Sequence, residues 1–275
     1  MRLKRFIAAV AVVGGSSAAV FPARAQPILT PHRAVYDVVL GKASDRSGIT
    51  SISGRMVYEF DGSACDGYTV TFRFVSQIDT SEASRITDQQ TTTYEGPRGD
   101  TFDFVTKSYV DQQLDREVKG SARREQGTTI VDVDQPVPAE IELAETHFPT
   151  QHLVELIEKA KAGESFYETS LFDGSEDADR IMTTTVIIGK KETARMPAEE
   201  FPAAEAIATQ AYWPVSIAYF DLSDVEGEEV PDYRIDFKLH ENGITRDLVM
   251  DYGEFSMNGK LVDLTIFDRP ATCSN

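Results

Sequence analysis

The two cysteines are the most reactive side chains in the sequence, and they stand far apart. Cys65 and Cys273 are separated by roughly 200 positions, whereas a redox-active pair typically has the spacing C-x-x-C, which lowers the pKa of one thiol. Because residues 1–25 have the pattern of an export signal, an even number of cysteines indicates a structural disulfide instead. We therefore expect a bond between Cys65 and Cys273. The alternative is a Cys65 nucleophile with a histidine base that the fold brings close.

The histidines do not have the spacing of a metal site. His147 and His152 are five positions apart with Pro149 between them, a spacing that does not place two ring nitrogens on one metal. Capping and local hydrogen bonding are sufficient roles for both. The dipeptide His240-Glu241 begins like a zinc-protease helix but lacks the second histidine, so we interpret it as part of a turn.

The acidic residues are numerous but form no recognisable catalytic or metal motif. The run from Asp173 to Asp179 is rich in oxygen ligands, yet its glycine is misplaced for a calcium loop and no Glu follows at the twelfth position. Weak surface binding of calcium is the alternative for this run. With 45 acidic residues, some carboxylate pairs fall at glycosidase distance by chance. We expect no catalytic residues, no metal site, no cofactor and no enzymatic activity.

The first 25 residues have the pattern of a secretory signal peptide. Three basic residues near Met1 precede an apolar run from Phe6 to Val13, and an A-x-A site ends at Ala25, before Gln26. The apolar run is shorter than the roughly 20 residues that cross a bilayer, so a membrane anchor is the weaker alternative. We predict cleavage between Ala25 and Gln26, no integral membrane insertion, and a periplasmic mature protein.

The overall charge excludes several classes of partner. The chain has 27 Lys and Arg against 45 Asp and Glu, a formal net charge of −18, and the predicted cleavage removes four basic residues and no acid. Such a surface repels phosphate backbones and anionic lipid head groups. Nucleic-acid binding is therefore not expected, and 41% hydrophobic residues indicate an ordinary globular chain.

Alternation of apolar and polar residues predicts about twelve β-strands. It is clearest at Tyr68 to Phe74 and at Tyr233 to Leu239, where every second residue is apolar. Asn242-Gly243 and Asn258-Gly259 have the chemistry of tight hairpin turns, so neighbouring strands should be antiparallel. Weaker alternation predicts the other strands: Ala34 to Leu40, Gly54 to Phe60, Thr101 to Val110, Val118 to Arg124, Thr128 to Val133, Phe166 to Phe172, Met182 to Ile188, Val215 to Leu222, Leu248 to Phe255 and Leu261 to Phe267.

One segment has helical periodicity instead. Thr150 can cap a helix of about residues 150–162 that ends at Gly163. Its apolar stripe is formed by Leu153, Leu156, Ile157 and Ala160, and such a stripe must be covered. We expect this helix to pack on the sheet or to plug its open end.

Two further segments are predicted to lie outside the strands. Residues 192–210, with two prolines and many alanines, favour a loop or short helical insert, and 223–232 favour an acidic loop. Neither is a credible domain linker if the disulfide joins early strands to the last residues. We therefore predict a single domain over residues 26–275.

Four blocks of sequence resemble the EipB family of cell-envelope integrity proteins, which are exported proteins with a domain of unknown function. The blocks are Pro31–Asp37 (PHRAVYD), Gly54–Phe74, which contains Cys65, Trp213–Phe220 (WPVSIAYF) and Glu241–Gly253 (ENGITRDLVMDYG). The resemblance implies a monomeric, periplasmic β-spiral, an antiparallel sheet like an incomplete barrel, closed by the Cys65–Cys273 disulfide. It also implies a role in maintaining the envelope under stress, and it implies no catalytic residues.

The fold class implied by the resemblance is similar to that of periplasmic carriers and sensors of lipids and lipoproteins. We therefore expect a noncatalytic protein whose sheet offers an apolar groove lined by residues such as Tyr68, Phe72, Phe237 and Tyr219. An equally weighted alternative is that these residues fill the interior. In that case the protein is a scaffold that docks a periplasmic protein partner through the acidic loops or through Tyr212-Trp213-Pro214. A hydrolase of envelope polymers is the third alternative.

Overall fold

The structure, a computed structural model, describes residues 29–175, 178–193, 201–221 and 230–268. The predicted signal peptide and Cys273 lie outside these residues. The described part contains a 14-stranded sheet and a main helix, α1 (Pro149–Ala162). The strands are β1 (His32–Ala43), β2 (Ile49–Ser63), β3 (Gly67–Thr80), β4 (Ser84–Glu95), β5 (Thr101–Val110), β6 (Gln113–Glu125), β7 (Thr128–Gln135), β8 (Ala139–Ala144), β9 (Phe166–Leu171), β10 (Met182–Ile188), β11 (Tyr212–Asp221), β12 (Tyr233–His240), β13 (Thr245–Asp251) and β14 (Phe255–Ile266).

All strand pairs in the sheet are antiparallel, and the sheet stays open. Its order runs from β8 back to β1, then from β14 back to β9. The first and last strands pair with each other, with His32 opposite Ile266, and every other neighbour in the sheet is also a neighbour in sequence. The two edge strands, β8 and β9, do not pair with each other. The predicted fold class, a single antiparallel sheet like an incomplete barrel with one main helix, is confirmed.

Each of the twelve predicted strands overlaps an observed strand, although the predicted strand Leu248 to Phe255 runs across the turn at Gly253 from β13 into β14. Two strands were missed. β4 was missed because the side chains that would carry its alternation are mostly threonines and glutamines, which give no hydrophobic period. β8 was missed because it is a six-residue edge strand in which acidic residues alternate with Ile and Leu. Charged residues on an edge strand disfavour pairing with another chain, so the composition of β8 suits its position at the edge of the sheet.

One of the two predicted hairpin turns is wrong. Gly243 does lie in the turn between β12 and β13, with φ +88°. Asn258 and Gly259, however, lie inside β14, where Gly259 pairs with both Val38 and Leu248. The chain reverses instead at Gly253, with φ +78°. A side chain at position 259 would crowd Leu248, whose Cβ is only 3.2 Å from the place a Cβ would take, so the glycine is favoured by packing and not by a turn.

Helix α1 packs its apolar stripe against the sheet, as predicted. Leu156, Ile157 and Ala160 are buried in the main hydrophobic cluster, and Gly163 ends the helix in the left-handed conformation. The predicted cap at Thr150 is wrong, because the helix already begins at Pro149 and Thr150 lies within its first turn. The acceptor at this end comes from β4 and is described below.

The interior has two hydrophobic clusters. The larger one combines α1 with inward residues of β1–β3 and of β10–β14. The smaller one lies under β5–β8, where Phe102, Phe104, Phe148 and Phe172 pack together, with the rings of Phe102 and Phe148 stacked at 5.1 Å. Aromatic contacts of this kind contribute beyond the area that they bury. Phe148, directly before α1, therefore fixes the start of the helix over the second cluster.

The insert that follows β10 is helical where it is described. A one-turn helix, α2 (Phe201–Ala204), and a 3-10 turn, Glu205–Ile207, precede β11, in agreement with the predicted short helical insert, and α2 packs against β14. Most of the predicted acidic loop after β11 lies outside the described residues. Among the described helices, none has the length and hydropathy that a membrane crossing requires.

Candidate ligand-binding groove

The inner face of the sheet is apolar where the sequence alternates most clearly. On β3, Val70 and Phe72 face the interior and pack against the main cluster, whereas Thr71 and Arg73 between and beside them are exposed. Period-two alternation puts successive side chains on opposite faces, so this strand separates the interior from solvent. We call the space between the inner face of the sheet and α1 the inner groove.

The four residues predicted to line a groove all face this interior. Phe237 is buried in the main cluster, while Tyr68, Phe72 and Tyr219 are only partly buried and pack against it. Partial exposure of aromatic side chains on an inner face means that the interior is not completely filled. The four predicted residues thus belong to one hydrophobic cluster, but Phe237 is the one among them that lines a cavity of the groove.

An apolar cavity of about 250 Å³ lies in the inner groove beside α1. It is lined by Met56 and Val70 on one side, by Phe237 and Leu248 on the other, and by Leu153 of the helix. β3 and β12 both contribute to it although five strand pairings separate them in the sheet, so the sheet curves around the cavity.

One polar group of this cavity, the Tyr36 hydroxyl, is satisfied by the protein. The Tyr36 hydroxyl, which faces the cavity, donates a hydrogen bond of 2.7 Å to the carbonyl oxygen of Thr245. Burial raises the pKa of Tyr36 to about 12, so the hydroxyl stays protonated. The wall therefore offers an entering molecule mainly apolar contacts.

A second cavity, of about 320 Å³, lies further along the same strands. Met56 of the first cavity lies directly opposite Phe74 of the second in the β2–β3 pairing. The second cavity has a mixed lining. Its apolar wall consists of Phe74, Ile78, Tyr252, Phe255 and Met257, and its polar wall includes Ser76, Thr87, Gln89 and Ser108.

A row of stacked aromatic rings lies on the side of the groove that is formed by β11–β14. The ring centroids of Tyr219 and Tyr233 are 4.3 Å apart, those of Tyr233 and Tyr252 are 5.9 Å apart, and those of Tyr252 and Phe255 are 5.0 Å apart. Burial raises the pKa of Tyr219 and of Tyr233, so both phenols are neutral in the physiological range. The row presents an uncharged aromatic surface to the interior.

A buried carboxylate receives the start of α1. Glu95, at the end of β4, is 3% exposed, and its oxygens accept hydrogen bonds from the backbone N–H of Thr150 at 2.7 Å and of Gln151 at 3.0 Å. These groups have no partner within the helix. Burial raises the pKa of Glu95 to about 7, against the opposing effect of these hydrogen bonds. Glu95 thus replaces the predicted Thr150 cap.

The two histidines near the start of α1, His147 and His152, contact different residues. The His147 Nδ1 is 3.0 Å from the Thr169 hydroxyl, while the His152 Nε2 is 3.3 Å from the Thr184 hydroxyl. Burial lowers the pKa of His152 to about 4. Both rings have the local hydrogen-bonding roles that the sequence indicates.

His240 is a structural residue at the end of β12. The Arg246 Nε donates to the His240 Nε2 at 3.3 Å, and burial lowers the pKa of this imidazole to about 4. Both side chains are fully buried, and the guanidinium lies 4.9 Å from the centre of the Tyr212 ring. The His240-Glu241 dipeptide leads into the turn before β13 and not into a helix, as predicted.

The aromatic residues predicted as protein contacts are not available at the surface. Tyr212 and Trp213 are both buried, so neither side chain is free to contact a partner in this conformation, and docking through this segment stays a prediction. Trp213 belongs to the main hydrophobic cluster, and Tyr212 stacks with Arg246. Pro214 is partly exposed.

The acidic run from Asp173 to Asp179 is only partly described, because residues 176 and 177 lie outside the described residues. Asp173 accepts a hydrogen bond from the Ser175 N–H, and Asp179 pairs with Arg180. No group of three or more metal-ligating side chains gathers in the described parts of the chain. Cys65 lies in the turn between β2 and β3, and its bond to Cys273 stays a prediction.

Sequence reasoning missed the polar part of the groove. The structure places Thr87, Gln89, Thr91, Thr93 and Glu95 on one face of β4, the face that pairs with the inward residues of β3. Their signal in the sequence is a period of two in polar residues, which a search for apolar alternation does not detect.

This chain is similar to known proteins in both sequence and structure. The EipB-like family model matches residues 23–268. A protein of Brucella abortus (strain 2308) named Cell envelope integrity protein EipB is 52% identical over 241 residues, which is 87% of this chain and 85% of that protein. The crystal structure of a beta-barrel-like protein of a domain of unknown function from Brucella abortus is similar with a TM-score of 0.84. It is 52% identical, and the match covers 88% of this chain and 99% of that one.

Proposed function

Because this chain belongs to the EipB-like family, we propose that it maintains the integrity of the bacterial cell envelope by binding the acyl chain of a lipid or lipoprotein. The relative from Brucella abortus is named for envelope integrity, which supports the cellular role. In this proposal the protein acts as a monomer in the periplasm and catalyses no reaction.

The observation that carries this proposal is the apolar cavity in the inner groove. Its wall has contributions from β1, β2, β3, β12, β13 and α1, so it is built by strands from two distant parts of the sheet together with the helix, and not by one loop. Apolar surface that faces water is unfavourable by about 25 cal/mol for each Å². An acyl chain that fills the cavity removes this surface from water, which is the driving force for binding.

The proposed periplasmic location rests on two features of the sequence. The predicted leader over residues 1–25 directs export, and a disulfide between Cys65 and Cys273 is compatible with an oxidising compartment. The noncatalytic role is supported by the histidines: His152 and His240 are buried, uncharged at neutral pH and occupied by protein groups. Neither is positioned as a general base toward the groove.

A docking protein is the second candidate, and a specific surface feature favours it. Phe166 and Ile187 are 57% and 56% exposed, and they lie opposite each other in the β9–β10 pairing. β9 is an edge strand, so this apolar pair stands beside unpaired backbone groups. Crosslinking in intact cells tests this candidate, because Phe166→Asp would abolish a protein crosslink but would not affect lipid binding.

Two phenylalanine variants on adjacent residues of β3 test the leading proposal. Val70→Phe fills the groove, whereas Thr71→Phe adds the same side chain on the exposed outer face. In a strain that lacks the protein, we expect Thr71→Phe to restore resistance to detergent and Val70→Phe to fail, with both variants folded by circular dichroism. Full rescue by a folded Val70→Phe protein would contradict ligand binding in the groove.

A further inference from the structure

A strip of hydroxyl groups runs along one side of the inner groove. In the sheet pairing, Ser76 lies opposite Thr87 and Phe72 lies opposite Thr91. Paired residues on neighbouring strands point to the same face, so the threonines share the inner face with Phe72. The strip continues onto β5, and its members are Ser76, Thr87, Thr91, Thr93, Thr106 and Ser108.

The strip is internally hydrogen-bonded but retains capacity for a ligand. The Ser76 and Thr87 hydroxyl oxygens are 2.8 Å apart, and those of Thr91 and Thr106 are 3.0 Å apart. In each pair one hydroxyl donates to the other, which leaves one proton and acceptor lone pairs for another group. Ser76, Thr87 and Ser108 line the second cavity together with Gln89, so this cavity offers several uncharged donors and acceptors.

Among the described residues, neither cavity has a cationic partner for an anion. Among the described residues that line either cavity there is no Lys or Arg side chain. The one acid of the second cavity, Asp88, is held by Arg73 through hydrogen bonds of 2.8 and 3.0 Å, and Arg73 is exposed on the outer face. Glu95, which binds the start of α1 next to the first cavity, is an acid and therefore supplies no positive charge either.

We propose that the inner groove selects an amphiphile with an uncharged head group. The hydrocarbon chain occupies the cavity beside α1, and the head group hydrogen-bonds to the hydroxyl strip and Gln89 in the second cavity. This inference rests on the proposed function and specifies its ligand class. A neutral hydroxyl or amide head group regains hydrogen bonds when it leaves water, whereas a carboxylate or phosphate loses hydration without an opposite charge to compensate.

Two ligands with the same chain separate head-group selection from chain binding. Monolauroylglycerol and laurate are titrated below their micelle concentrations at pH 8, with displacement of a fluorescent naphthylamine probe as the readout. We expect the neutral ligand to bind at least about tenfold tighter, which is about 1.4 kcal/mol. The preference must persist at about 0.5 M salt, where the net charge of the chain is largely screened.

The possible outcomes of this titration test two separate claims, head-group selection and acyl-chain binding. If laurate binds as tightly as monolauroylglycerol, or if salt abolishes the difference, the head-group inference is wrong while acyl-chain binding stands. If neither ligand binds, the proposed function fails as well.

Variants of the strip locate the selection. Ser76→Ala with Thr87→Val replaces one bonded hydroxyl pair by apolar groups of similar shape, which leaves no orphaned partner. We expect this double variant to bind monolauroylglycerol about three- to tenfold more weakly and to bind the fluorescent probe unchanged. Thr92→Val, on the exposed outer face of β4, is the matched control and should behave as the unmodified protein. Equal affinities in all three proteins would refute the role of the strip.

Discussion

Replacement of Glu95 by glutamine is expected to change how the stability of the protein depends on pH. In the folded chain burial raises the pKa of Glu95 to about 7, from its ordinary value of 4.5. The folded state therefore holds the proton more tightly than the unfolded state does. The stabilisation from this proton is complete below pH 4.5 and is lost as the pH rises through about 7.

The magnitude follows from the difference between the two pKa values. From 4.5 to about 7 is about 2.5 pKa units, and at about 1.4 kcal/mol for each unit it corresponds to about 3 kcal/mol. Glutamine cannot ionise, so the free energy of unfolding of Glu95→Gln should rise relative to the unmodified protein by up to about 3 kcal/mol between pH 4.5 and pH 8. The loss of one acceptor at the helix start subtracts about 1 kcal/mol at every pH.

Glu95→Gln must be compared with the unmodified protein because other titrating groups change the stability in the opposite direction. Burial lowers the pKa of His152 and of His240 to about 4, so their contribution to stability is lost as the pH falls from about 6.5 to 4. This contribution is the same in both proteins and cancels in the difference.

Urea unfolding at several pH values measures the effect, with the fluorescence of the buried Trp213 as the probe. Glu82→Gln, at an exposed position in the turn between β3 and β4, controls for the loss of a negative charge. A stability difference between Glu95→Gln and the unmodified protein that stays constant from pH 4.5 to 8 would refute the reasoning. It would mean that the helix N–H groups hold the carboxylate ionised throughout.

Three further predictions concern stability. Leu156→Ala removes a fully buried side chain of α1 and should lower the free energy of unfolding by about 2–5 kcal/mol, measured in urea; a loss below 1 kcal/mol would mean that the helix is not packed on the sheet. Gly243→Ala should destabilise more than Gly253→Ala, because both glycines have positive φ but only at 243 would the new Cβ meet another side chain, at 2.9 Å; equal melting temperatures would contradict this. Reductant should lower the melting temperature of the exported protein and leave that of a Cys65→Ser/Cys273→Ser variant unchanged; two thiols labelled in the native oxidised protein would disprove the disulfide.

The strand positions could be predicted where apolar side chains mark the inner face. β3 and β12 each have an apolar residue at every second position, and both lie where the sequence places them. β4 has the same geometry, but hydroxyl and amide groups occupy its inner face, so the strand and the polar side of the groove were missed together. A polar inner face gives no hydrophobic period, although the pairing with β3 and β5 is complete.

Contacts between distant residues could not be predicted from local patterns. Glu95 binds the start of α1 from 55 positions away, and no helix-capping rule extends beyond a few neighbouring residues. The turn prediction at Asn258-Gly259 was wrong for a related reason: a glycine within a strand and a glycine in a turn look alike until the neighbour across the sheet, here Leu248, is known. The openness of the sheet was anticipated through the family resemblance and not through the strand pattern.

The most direct test is to identify what the mature protein carries when it leaves the cell. Protein released by osmotic shock without detergent is purified in parallel with the Val70→Phe and Thr71→Phe variants, and its lipid extract is analysed by mass spectrometry. We predict an uncharged amphiphile near one equivalent in the unmodified protein and in Thr71→Phe, and its loss in Val70→Phe. An extract without amphiphile in repeated preparations, or equal amounts in all three proteins, would contradict a ligand-binding groove.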